Sequence, residues 1–99
     1  MSQNGTTHYG TWIRERRKER GLSLDEVSAR IRIDARYLRA LETGNIALLP
    51  EPYMRAFLRT YSSFLGLDEE ESSRRFEDFV QEQHQQEEQV RTALREKDP

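Results

Sequence analysis

Two sets of residues in this chain could do chemistry. The first is Arg36, Tyr37 and Arg39, which follow Asp34. Arginine offers a planar fork of donors that fits the major-groove acceptors of guanine, so Arg36 and Arg39 could read base edges while Tyr37 touches a phosphate. The second is Tyr53, Phe57, Tyr61 and Phe64, spaced i, i+4, i+8, i+11, with Arg55 and Arg59 between them. Contiguous aromatic rings facing water mark a surface for another protein, and neighbouring guanidinium groups can pair with acids on it. Here Tyr53 and Phe57 are expected to face outward as anchors, and Phe64 and Leu65 to seal the core.

Catalysis finds no comparable grouping. His8 and His84 stand apart from any ligand set, and Glu69, Glu70 and Glu71 suit the positive end of a helix. Ser62, Ser63, Ser72 and Ser73 have no adjacent base, and the five glycines form no phosphate-cradling loop. No catalytic, cofactor or metal residue is assigned, and neither an enzyme nor a small-molecule substrate is expected.

Helices must position both sets. Tyr9, Trp12 and Ile13 suit a helix over residues 9–20, stopped by Gly21. Ser23 and Glu26 have the spacing of a capping box, with Leu22 and Val27 as its hydrophobic staple. Leu24, Val27 and Ile31 continue as one apolar stripe. Asp34 caps a third helix carrying Leu38 and Leu41, and Gly44 ends it. Two short helices joined by a tight turn after a first helix make a helix-turn-helix. In the connector 45–52, Ile46, Leu48 and Leu49 are expected to tuck into the core. A fourth helix runs from Tyr53 to Leu65 with Pro52 as its first residue. Asp68 and Glu71 repeat the capping-box spacing and open a fifth, with Phe76, Phe79 and Val80 inward. Residues 81–89 hold no apolar side chain, so they form a solvated helix extension or no fixed structure. Leu24, Leu38 and Leu58 are taken as core.

Length and composition agree with that reading. Ninety-nine residues at 34% apolar allow one small domain, and the equal charged share suits a solvated helical chain. There is no cysteine, which excludes a disulfide scaffold or a thiolate metal site. No apolar run is long enough to cross a membrane or to serve as a signal peptide, so a soluble, unexported chain is expected. Net charge is +3 over residues 1–20, +1 over 21–66 and −6 over 67–99. The front two-thirds is thus only mildly basic, less than a strong unaided DNA binder usually carries. The run Arg14–Arg20 reads as a solvated face, because acids alternate with the bases and no bulky apolar face opposes it.

From about Gly10 to Glu71 the chain resembles the N-terminal cytoplasmic domain of RodZ, the bacterial cell-shape protein. The residues that carry the likeness are Leu41-Glu42-Thr43-Gly44, Leu49-Pro50, Tyr53 through Tyr61, and Leu65-Gly66-Leu67-Asp68. The resemblance implies an all-α, compact bundle of about five helices containing a repressor-like helix-turn-helix. It also implies binding to the actin-like MreB filament through aromatics of the fourth helix, and anchoring by a transmembrane segment that this chain does not include. The expected organisation is a flexible arm over 1–8, a five-helix domain over 9–80 and a polar tail over 81–99. The expected function is a scaffold on the cytoplasmic face of the inner membrane, docking through Tyr53, Phe57, Arg55 and Arg59. The alternative is a sequence-specific DNA-binding regulator using Arg36, Tyr37 and Arg39. Against it, Leu24 and Ala35 stand where repressor headpieces often carry polar readers, and Asp34 and Glu42 offset the arginines.

Overall fold

A computed structural model describes residues 8–97. The arm expected over residues 1–8 lies outside them except for His8. Five helices follow one another: α1 (Tyr9–Glu19), α2 (Leu24–Ile31), α3 (Ala35–Thr43), α4 (Glu51–Phe64) and α5 (Glu69–Lys97). Among the described residues there is no strand, and the fold is all-α with α2 and α3 as the helix-turn-helix.

Local chemistry sets most of the boundaries. Ser23 Oγ accepts from the Glu26 amide, while Glu26 accepts in return from the Ser23 amide at 2.8 Å. That exchange holds the Glu26 carboxyl below its usual range, since the hydrogen bonds favour its charged form. Asp34 caps α3 through the Arg36 amide, and Gly44 ends it at φ 82°. The turn between α2 and α3 passes through Arg32 at φ 61°, a left-handed position that an L side chain adopts at a cost. The turn is held by the Arg32 amide on the Ser28 carbonyl and by the Ser28 hydroxyl on the Ile33 carbonyl.

Two starts differ from expectation. α4 begins at Glu51, with Pro50 as the flanking residue, so Pro52 is its second residue and not its first. It still lies in the first turn, where no intrahelical acceptor awaits its missing N–H. At α5, Asp68 accepts from the Glu70 amide, but Glu71 turns along the helix to Arg75, 2.8 Å away. Only the Asp68 half of that capping box forms.

The buried apolar residues run from Tyr9 to Val80, with Ile13, Val27, Leu38, Leu41, Met54, Tyr61, Leu65 and Phe76 almost wholly enclosed. α3 lies at the centre, against α1, α2 and α4, and α5 closes the bundle over α4 and α1. Gly10 permits a close approach of α1 to α3, because a Cβ there would overlap the backbone carbonyl of Glu42. Arg75 lies 4.5 Å from the Trp12 ring and adds a cation–π link between α5 and α1.

Two packing expectations, those for Leu48 and Leu24, are corrected. Leu48 is 41% exposed, leaving Ile46 and Leu49 to cover the core from the connector. Leu24 and Phe64 pack against the core from its edge without entering it. Beyond Val80, α5 continues as helix to Lys97, with Val90 and Leu94 in water. Its 29 residues, about 43 Å at 1.5 Å each, account for the 54 Å long axis.

Leu38→Ala and Leu58→Ala are each expected to cost about 2–5 kcal/mol in urea unfolding, and Leu24→Ala clearly less. Arg32→Gly, which removes the left-handed penalty but adds freedom to the unfolded chain, is expected to raise stability by up to about 1 kcal/mol in the same assay.

Candidate functional site

The two sets of residues singled out in the sequence meet on one face. Helices α3 and α4 pack side by side, and the Tyr37 and Phe57 rings lie 5.6 Å apart, inclined at 35°. Both are half-buried, their inner edges against the core. One turn earlier on the same side of α4, Tyr53 is 59% exposed. The Arg36 guanidinium lies 5.3 Å from the centre of the Tyr37 ring. The resulting surface runs Tyr53, Phe57, Tyr37, Arg36, from rings to charge. Arg39 is exposed on α3.

The arginines of α4 do not join this surface. Arg55 reaches back to Glu51 at 2.6 Å and across to Glu77 of α5, and it sits 5.3 Å from the Phe76 ring. Hydrogen bonds to Glu77 and Glu51 raise the Arg55 pKa, and the same contact with Arg55 lowers that of Glu77. Arg55 therefore clasps α4 to α5. Arg59 is exposed beside α5, where it lines a shallow cleft with Leu58, Ser72, Ser73 and Phe76. The expectation that Arg55 and Arg59 flank the exposed rings is corrected: they follow the opposite side of α4. On α3, Arg36 meets Asp34 at 3.5 Å, an exposed pair worth little.

Behind the surface lies a polar network that the sequence reading missed. Arg17 of α1 forks onto Glu42 of α3 with Nε–Oε2 2.8 Å and a second bond of 3.0 Å, and donates also to the Leu22 carbonyl. The Tyr61 hydroxyl of α4 donates to the same Glu42 carboxylate. Glu42 is only 7% exposed and Arg17 8%. Hydrogen bonding to Glu42 raises the Arg17 pKa; burial, then the bond to Glu42, raises that of Tyr61. A signal was present in the spacing. Arg17 follows Ile13 by four residues and Glu42 follows Leu38 by four, so each charge stands in phase with an apolar stripe.

Among the described residues, no group of three or more His, Asp or Glu could hold a metal ion, and no helix is long and apolar enough to cross a membrane.

Two short helices joined at a left-handed turn, behind a first helix and bound to it through their own core, define a helix-turn-helix domain. A family model described as a helix-turn-helix domain matches residues 12–72, and the chain belongs to that family. It is also similar to the uncharacterised membrane protein YmfM of Bacillus subtilis (strain 168), at 46% identity over 48 residues. That stretch is 48% of this chain and 17% of that protein. No solved structure matches.

Removing one member of the buried network strands the others. Glu42→Ala is expected to cost about 3–5 kcal/mol in denaturant unfolding, whereas replacing Arg17, Glu42 and Tyr61 together by apolar residues of similar volume recovers most of the loss.

Proposed function

We propose that this chain is a protein-docking domain of the RodZ type, which binds an actin-like MreB filament and couples it to a membrane-anchored cell-shape complex. The carrying observation is Tyr53, a large ring left 59% in water beside Phe57 and Tyr37. The likeness to a protein described as a membrane protein supports the anchored setting, on the cytoplasmic face of the membrane. Tyr53 and Phe57 serve as the anchors. Arg55 takes no part, because it is engaged within the domain, and Arg59 contributes only to a partner that wraps toward α5.

Magnitudes define how such docking works. Covering two aromatic rings removes at most about 300–500 Å² from water, or roughly 8–12 kcal/mol at ~25 cal/mol per Å². Phe57 is already half covered, so the lower end applies. Association costs about 4–15 kcal/mol, and a single contact is therefore weak. Repeated subunits along a filament and a binder confined to a membrane supply the missing affinity through effective concentration.

A second reading rests on the exposed Arg36 and Arg39 of α3: a sequence-specific DNA-binding regulator, with α3 in the major groove. Tyr37 fits this reading less well, since its ring is turned onto Phe57.

Co-sedimentation with MreB filaments tests the proposal. Tyr53→Ala and Phe57→Ala, checked for folding by circular dichroism, are expected to lose filament binding at least tenfold; pelleting like the parent refutes the docking surface. In a gel-shift at about 150 mM salt, sequence-selective retention that disappears in Arg36→Ala/Arg39→Ala establishes the DNA reading instead.

A further inference from the structure

His8 stands where three helices meet. Its Nδ1 accepts a hydrogen bond from the Gly10 amide at 2.8 Å and so caps α1. Its ring stacks on Tyr9 (4.8 Å between centroids, 19°) and meets the edge of Phe79 on α5 (4.2 Å, 72°). Its Nε2 lies against Gly44, the left-handed residue closing α3, where any Cβ would collide with the imidazole. One imidazole thus touches the start of α1, the end of α3 and the inner face of α5.

The hydrogen bond settles where the proton sits. Nδ1 must be unprotonated to accept from Gly10, so the neutral ring carries its hydrogen on Nε2. That tautomer suits both helix ends. The lone pair on Nδ1 faces the positive start of α1, and the N–H on Nε2 faces the negative end of α3. A second proton can enter only at Nδ1. There it removes the acceptor and sets a positive charge against an N–H group at the positive end of a helix.

We infer that His8 is a proton-operated latch, holding α1, α3 and α5 together when neutral and releasing the first turn of α1 when charged. Among the described residues, the charged group facing it is Glu82 of α5, and the other titratable neighbour is the Tyr9 phenol. At the end of α3 the ring meets Gly44. Burial lowers the His8 pKa below 6.5 and outweighs the opposing pull of Glu82. Burial also raises the Tyr9 phenol, which therefore stays neutral throughout. The folded state thus holds the proton less well than the unfolded chain. The latch is complete above about pH 6.5, and its contribution is lost as pH falls from there through the lower folded value.

A proton-detected titration of the full chain from pH 8 to 5 tests this. The His8 ring is expected to titrate below 6.5, with the Gly10 amide shifting along the same curve. Titration at or above 6.5, or a Gly10 amide that ignores the ring, overturns the latch. Melts give a second measure. His8→Asn keeps a capping oxygen without a titrating group, so it is expected to lose the part of the parent's fall in Tm between pH 6.5 and 5 that carboxylates do not cause. Parallel pH profiles for parent and variant also overturn it. If His8→Asn fails to fold, the ring and amide titrations of the parent decide alone.

Discussion

The carboxylate of Glu42 ties α1, α3 and α4 together. It takes the fork of Arg17 from α1 and the hydroxyl of Tyr61 from α4, while its own helix forms the centre of the bundle. A buried charge is tolerable only when paired and hydrogen-bonded, and the geometry meets that demand with three donors in place. Apolar contacts would permit α1 to slide or rotate over α3 at modest cost. The charged fork does not, since a small displacement strands a buried ion. Gly10 adds a steric limit one side of the same contact, because the backbone of Glu42 occupies the place of its missing side chain. Hydrophobic burial drives this fold, and the Arg17–Glu42–Tyr61 cluster adds directional bonds between α1, α3 and α4.

That division explains what could be read from sequence. Signals confined to a few neighbouring residues carried over: the reciprocal Ser23–Glu26 cap, the Asp34 cap, the Gly44 stop and the helix-turn-helix they delimit. Signals that depend on distant partners did not. Glu71 has the capping spacing from Asp68 but has Arg75 as a competing partner one turn on, and takes it. Leu48 is as apolar as Leu49, yet the direction of the connector leaves it in water. Arg55 looked like a free cation beside exposed rings because its partner Glu77 lies on another helix. His8 looked like part of a polar arm because Phe79 and Gly44, which enclose it, are far away in the chain.

The surface over α3 and α4 shows the same dependence on tertiary structure. From sequence, the rings of α4 and the arginines of α3 belong to rival readings. In the fold they share a boundary, since Tyr37 lies against both Phe57 and Arg36. The two proposed surfaces therefore adjoin through the Tyr37 ring.

The distal part of α5 has a separate physical character. Past Val80 the helix runs seventeen further residues to Lys97, and the side chains described over Gln81–Arg95 have almost no core to pack on, so the helix is propagated from the anchored turns around Phe76 and Val80. Growth from an existing end avoids the nucleation penalty, but each added turn is only marginally favourable. Its reach depends on that balance. Seventeen residues span about 25 Å as helix and up to about 56 Å when extended. Unwinding would thus roughly double the length of this segment.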